Sequence, residues 1–290
     1  MIPKDTLFSR KRTININGQS IDFSEPKVMG ILNVTPDSFY DGGRFLEEKK
    51  MVSKVEQMIS EGVDFIDVGA YSSRPGATDI SYGEETKRLS ATMKVLRSRF
   101  PAIIISIDTF RSGIARKMVE EYGANMINDI SAGSMDGEMF RTIADLRVPY
   151  IMMHMQGIPQ TMQKDPKYEH VVKDIITFFS RKVEKLKLLG VNDVILDPGL
   201  GFGKTLDHNY EIMNGLSLFA IFNKPVMIGV SRKSMIGKLL GCTPDEALNG
   251  TIVLNTVALL EGVDILRVHD VKEAVEAIRI IEKLNKFGVE

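Results

Sequence analysis

The stretch PAIIISIDTFRSGIARKMVEEYGANMIN, residues 101–128, holds one complete strand–helix–strand unit. Pro101 opens the apolar run Ile103-Ile104-Ile105-Ser106-Ile107, and a proline, lacking an N–H, is tolerated at a strand's first residue. Ile114, Met118 and Tyr122 then recur at helical spacing. Gly123 follows that face, where glycine supplies a left-handed helix cap, and a second apolar run begins directly after it.

The same grammar runs through the chain. Proline opens apolar runs at Pro26 (VMGIL), Pro101, Pro149 (YIMM) and Pro225 (VMIGV). Glycine opens the others at Gly62, Gly123, Gly190 and Gly262, written G-V-D, G-A-N, G-V-N and G-V-D. Amphipathic stretches lie between: Met51, Val55, Met58 and Ile59 share one face, as do Val271, Val275 and Ile278. Alternating strands and helices with right-handed crossovers give either a (β/α)8 TIM barrel or an open doubly wound α/β sheet. Eight repeats and the chain length favour the barrel. Ahead of it, Thr13-Ile14-Asn15-Ile16 and Ile21-Asp22-Phe23 flank Asn17-Gly18, which predicts a two-residue β-hairpin over about residues 12–24 that plugs the barrel's bottom. The expectation is one domain over 1–290, with the barrel proper from about residue 27.

Composition sets the outer limits. The chain has 290 residues and is 43% hydrophobic, ample for one large core. A net charge of −1 offers no field for nucleic acid or an anionic membrane, so an anionic ligand must be gripped locally and the partner is expected to be small. The one cysteine, Cys242, excludes an intramolecular disulfide, and MIPKDTLFSRKRTININ lacks the apolar core of a signal peptide. A cytoplasmic location is expected.

Read in order, the strand exits are Asn33, Asp67 with Ser72-Ser73-Arg74, Asp108, Asn128, His154, Asp197, Ser231-Arg232-Lys233, and Arg267 with His269. In a barrel they converge on the rim where the βα loops build active sites. Asp108, Asn128 and Asp197 suit a flat, N–H-rich heterocycle such as a pterin or purine. Lys233, Arg267, His269 and Arg232 are expected as cations on the last two strands, where barrels often hold phosphate. Two segments, Thr35–Gly43 and Tyr71–Ala77, carry Gly and Pro beside polar and aromatic residues and read as lids.

Each residue also has a plainer reading. Asp108 alone fits a helix cap before Arg111, and Asp197 before Pro198-Gly199 fits a turn residue. His154, among Met152, Met153 and Met155, reads as a packed residue. Gly199–Thr205 looks like a nucleotide-binding P-loop, but Pro198 stands where its first glycine belongs, so the glycines are better explained by close approach to a planar ring.

The blocks MGILNVTPDSFYDGGRF, SSRPGA, SIDTF, NDISAG, LDPGLGFGKT, GVSRKS and RVHD, in this order, resemble the dihydropteroate synthase family. The match runs from about Val28 to the last helix. The resemblance implies a magnesium-dependent transferase of folate biosynthesis, a sulfonamide target, that joins 6-hydroxymethyl-7,8-dihydropterin diphosphate to p-aminobenzoate. Residue by residue it places Asp108, Asn128, Ile130, Asp197, Phe202 and Lys233 around the pterin, and Asn33, Arg267 and His269 around the diphosphate. It assigns Phe39, Ser73, Arg74, Pro75, Lys233 and Ser234 to p-aminobenzoate, and Asn33 with Asp41 to Mg2+. Asp108, Lys233, Arg267 and His269 are the expected catalytic groups, and a homodimer through late helices is implied. One departure is DVGAYSSRPGA where the family often has a pattern nearer DIGGESTRPGA: Ser73 keeps the hydroxyl of the usual threonine, while Tyr71 stands for a common acidic residue and alters local charge and bulk. Other classes weighed are a pterin-dependent methyltransferase, a non-catalytic pterin binder and a Schiff-base aldolase built on Lys233. The first lacks a cobalamin region, the second requires loss of residues that are present, and the third has no carbonyl-processing partner.

Overall fold

The computed structural model describes residues 13–34, 44–71 and 80–287. Strands β1 (Thr13–Ile16) and β2 (Gln19–Asp22) form the expected hairpin, turning through Asn17 and Gly18 at φ +51 and +83. All eight apolar runs are strands: β3 (Lys27–Asn33), β4 (Phe65–Gly69), β5 (Ile104–Asp108), β6 (Met126–Asp129), β7 (Tyr150–Met153), β8 (Val194–Asp197), β9 (Met227–Ile228) and β10 (Ile265–Val268). They pair in parallel in the order β8-β7-β6-β5-β4-β3-β10-β9. A single bridge between Leu196 and Val226, with Leu196 N donating to Pro225 O at 2.9 Å, joins the two ends and makes the sheet a nearly closed barrel rather than an open one.

The helices are α1 (Arg44–Glu61), α2 (Tyr82–Arg99), α3 (Ser112–Glu120), α4 (Met139–Leu146), α5 (Val171–Leu188), α6 (Leu206–Asn214), α7 (Ser234–Leu240), α8 (Leu248–Leu260) and α9 (Val271–Asn285). The glycines that open half of the strands do end helices in the left-handed region, with Gly62 at φ +95 and Gly262 at φ +83. Beyond each, the next amide reaches back to the helix: Val63 N donates to Met58 O at 3.0 Å and Val263 N to Ala258 O at 3.0 Å. Those bonds fix the angle at which the chain enters the next strand. The simple one-strand, one-helix repeat fails between β9 and β10, where α7 and α8 both lie. Gly241, at φ +67, stops α7, and Thr243 with Glu246 forms a capping box before the chain turns into α8. Among the described residues no helix is long and apolar enough to cross a membrane.

Because successive side chains of a strand point to opposite faces, each barrel strand sorts its residues in two. Val28, Ile66, Ile105, Ile127, Leu196 and Leu266 face outward and pack under the helices in the larger core. Met29, Phe65, Ile104, Met126, Ile151, Ile195, Met227 and Ile265, one from each strand, face inward and meet Ile14, Ile16 and Phe23 of the hairpin region. The hairpin therefore does close the bottom of the barrel.

Phe23 is fully buried in that plug. Phe23→Ala is expected to lower unfolding free energy by about 3–5 kcal/mol, read by denaturant titration, because a truncated aromatic leaves a cavity that the barrel floor cannot fill.

Candidate active site

Two residues beyond the inward apolar ring, the same phase turns polar: Asp67 on β4, Ser106 on β5, Asn128 on β6, Asp197 on β8 and Arg267 on β10. Two residues further it carries Asn33 on β3, Gly69 on β4 and Asp108 on β5, then Ile130 and His269 beyond β6 and β10. Gly69 makes room for the acid beside it, since a Cβ there would lie 3.3 Å from Asp108 Cβ. The barrel thus has a greasy floor, a charged middle and a mixed rim.

Arg267 organises the middle. Its Nε donates to Asp67 Oδ2 at 2.7 Å and its Nη2 to Asp108 Oδ2 at 2.8 Å. Asp67 is fully buried and also accepts from Asn128 Nδ2 at 2.9 Å. Two carboxylates against one guanidinium leave one negative charge uncompensated. Burial pushes the Asp108 carboxyl up to about 7, with Arg267 pulling it down and Asp67 adding to the rise. Asp108 is not the helix cap that the sequence alone allowed. The cap of α3 has no side-chain bond of its own, and Asp136 Oδ2 accepts from Ser112 N at 2.7 Å instead.

Asp197 is the turn residue that its sequence context allowed, and it also faces the barrel interior. Oδ1 accepts from Gly199 N at 2.7 Å, fixing the Asp-Pro-Gly turn, while burial raises the carboxyl and Lys233 opposes that rise. Lys233 Nζ donates to Leu200 O and lies 4.8 Å from the centre of the Phe202 ring, and burial lowers it to about 8. Ile130 is buried with Met153 and Phe110, with Phe202 packed against them as an apolar wall.

The glycine loop after β8 is held by Lys204, a residue with no expected role. Its buried Nζ donates to Gly199 O at 2.8 Å and Phe202 O at 2.9 Å, and lies 3.1 Å from His154 Nδ1. Since an ammonium only donates, His154 accepts as a neutral ring, its pKa pushed down by burial and Lys204. His154 is thus a packed, bonded residue as expected. A Cβ on Gly199 would come within 1.9 Å of His154 O, so that position requires glycine. The lysine of the P-loop look-alike serves the loop itself.

Two expected cations differ. Burial, with help from Lys54 and Arg267, lowers His269 to about 4, so it is neutral near pH 7. Ser231 Oγ accepts from His269 N at 3.2 Å and lies 3.0 Å from Nδ1. With the hydroxyl donating to Nδ1, the ring keeps its proton on Nε2, a neutral donor. Arg232 makes a fork with Asp270, with Nη2 to Oδ1 at 2.5 Å and Nε to Oδ2 at 3.1 Å, which ties the β9 exit to the start of α9.

Asn33 ends β3 and is exposed, and Ser234 is exposed at the start of α7. Tyr71, the departure from the family pattern, sits edge-on to Phe110 at 5.1 Å and its hydroxyl accepts from Gln160 Nε2 at 3.1 Å. Phe39, Asp41, Ser73, Arg74 and Pro75, with most of both expected lids, lie outside the described residues.

A family described as pterin binding enzyme matches residues 29–269. The dihydropteroate synthase of Escherichia coli (strain K12) is 43% identical over 267 residues, covering 91% of this chain and 94% of that protein. That of Haemophilus influenzae is 38% identical over 266 residues, with 91% and 96% covered. Among solved structures, Yersinia pestis dihydropteroate synthase in a sulfonamide drug complex superposes with a TM-score of 0.87 at 39% identity, covering 94% of this chain and 99% of that one. The Xanthomonas albilineans enzyme with 4-aminobenzoic acid gives a TM-score of 0.85 at 33% identity, with 94% and 98% covered. The chain belongs to the pterin-binding enzymes and, within them, to the dihydropteroate synthases, a family of transferases.

A carboxyl whose pKa is higher folded than unfolded holds its proton more tightly in the folded chain. For Asp108 the resulting stability is full below the ordinary value of 3.8 and is lost as pH rises to about 7. Asp108→Asn fixes the neutral form. Its melting temperature relative to the parent should therefore rise between about pH 4 and 7 and then level off, as read by calorimetry across pH.

Proposed function

We propose that this member of the family condenses 6-hydroxymethyl-7,8-dihydropterin diphosphate with p-aminobenzoate, giving 7,8-dihydropteroate and diphosphate. The observation that carries this reading is the inward polar set of Asp108, Asn128 and Asp197, walled by Ile130 and Phe202, with Lys233, Arg267 and His269 beside it. The carboxylates and amide suit the N–H-rich edge of a pterin, and the basic side suits the departing anion.

The reaction is a loose substitution. The bond between the pterin methylene carbon and the diphosphate oxygen breaks, with the electron pair leaving on oxygen. The arylamine nitrogen forms the new C–N bond and then gives up a proton. Above about pH 7, with Asp108 ionised, the Asp67–Arg267–Asp108 cluster carries an uncompensated negative charge that favours positive charge developing on the pterin, as preorganised groups do. Arg267 spends Nε and Nη2 on carboxylates and has further donors for an anion. His269 offers Nε2–H without competing for the proton. Lys233, neutralised more easily than an ordinary lysine, holds its charge through Asp197.

Mg2+ suits this donor set as a substrate-borne ion. The exposed amide oxygen of Asn33 at the end of β3 is a hard donor, and magnesium commonly keeps several waters while taking its other ligands from phosphate oxygens. When bound, it would neutralise charge on the leaving diphosphate, with Asn33, and Asp41 as implied by resemblance, holding it. Phe39, Ser73, Arg74, Pro75 and Ser234 are proposed to border p-aminobenzoate, and the two lids to close over both substrates.

We also infer a homodimer through α7, α8 and α9. Helix α8 is apolar nearly all round, a pattern of helices covered on every side, yet Val253, Val257 and Leu260 are exposed, as are Leu239 and Leu240 of α7 and Ile280 and Leu284 of α9. Sedimentation should show a dimer, and Val257→Glu should shift it to monomer. A monomeric parent would contradict this assembly.

The direct test is diphosphate release from dihydropterin diphosphate with magnesium, with and without p-aminobenzoate, while dihydropteroate is followed by mass. Product is expected, chelation should abolish it, and pterin binding without turnover would contradict the reading. Asp108→Asn should lower kcat about 100-fold or more while weakening pterin binding less, because its charge matters most in the transition state.

A further inference from the structure

We propose that Asp67 is a positioning residue that sets ligand specificity by dictating which way the Asn128 amide faces. The inference rests on the pterin-site reading above and gives Asp67, whose charge belongs to the cluster with Arg267 and Asp108, a second role through its bond to Asn128.

An amide side chain has a donor end and an acceptor end, and its orientation follows from its partners. Asp67 Oδ2 accepts from Arg267 Nε at 2.7 Å and Asn128 Nδ2 at 2.9 Å, and Arg267 Nη2 lies 2.7 Å away as an ion-pair contact. An ionised carboxylate accepts only, so the –NH2 of Asn128 must face Asp67 and the carbonyl oxygen must face away. Arg267 sets its positive charge directly against this fully buried carboxyl group. Asn128 therefore joins Asp108 and Asp197 as a third acceptor. The resulting acceptor array discriminates between heterocycles. A 2-amino-4-oxo pteridine offers N–H groups along its pyrimidine edge, whereas the 2,4-dioxo counterpart places a carbonyl where the amino group was.

Among the described residues, Asp67 Oδ1 and Ser106 Oγ on the neighbouring strand, with which Asp67 pairs in register, are buried without a hydrogen-bond partner.

The test compares binding of 6-hydroxymethylpterin with its 2,4-dioxo counterpart by calorimetry. The parent should prefer the amino form by about 100-fold or more, since a site built for N–H groups rejects an analogue lacking them. Asp67→Ala frees Asn128 to turn and should cut that preference to about tenfold or less. Asp67→Asn, isosteric and able both to accept and to donate, should reduce it by at least about threefold and guards against a misfolded alanine variant. Adding Asn128→Asp to Asp67→Ala restores a fixed acceptor and should recover the preference, which a merely structural role for Asp67 would not produce. An unchanged ratio in the folded Asp67 variants would overturn the inference. A parent that binds neither pteridine would instead contradict the pterin-site reading.

Discussion

The strict alternation of inward and outward side chains along eight parallel strands is the constraint on which the rest of this molecule depends. It lets one short sequence serve two environments at once. In β5, Ile105 and Ile107 pack under helices while Ser106 and Asp108 face the barrel interior. In β6, Asn128 belongs to the site, whereas its neighbour Asp129 is turned outward and accepts from Ser131 and Tyr150 to hold the loop that follows. A one-residue slip of register would exchange these roles throughout the strand. The hairpin plug, the helix caps and the closing bridge between β8 and β9 all serve to hold that register.

Within the barrel, the same alternation concentrates ionisable groups away from water, and electrostatics there follows from burial. Arg267 stays charged because two carboxylates surround it, whereas burial and the nearby cations Lys54, Arg267 and Arg232 outweigh Asp270 and leave His269 neutral. Lys204 and His154 form a second buried unit that shapes the glycine loop. The site therefore combines fixed dipoles, one surplus negative charge and a neutral donor. That combination stabilises separated charges better than it abstracts a proton, in keeping with a loose substitution.

Much of this was legible in the sequence, for physical reasons that differ by residue. Pro26, Pro101, Pro149 and Pro225 cannot sit inside a central strand, and Gly62, Gly123, Gly190 and Gly262 cap helices, so together they bracket all eight strands. Asn17-Gly18 announced the hairpin through its turn geometry. The strand exits named Asp108, Asn128, Asp197, Arg267 and His269 because polar residues ending apolar runs share the rim. Other features depend on contacts that no local pattern encodes. Asp67 was itself among the strand exits, but its pairing with Arg267, 200 residues away, was not readable there. The neutrality of His269 follows from burial beside cations, and the engagement of Arg232 with Asp270 from a meeting of two separate loops. The division of one expected helix into α7 and α8 hung on Gly241 and the Thr243-Pro244-Asp245-Glu246 segment after it, signals that are present in the sequence.

If the inward polar positions of the barrel form the heterocycle site, a crystal structure with 6-hydroxymethylpterin bound should show the ring between Ile130 and Phe202, with its N–H edge about 2.7–3.2 Å from oxygens of Asp108, Asn128 and Asp197. A ring bound outside the barrel mouth, or one presenting its opposite edge to those three residues, would contradict it.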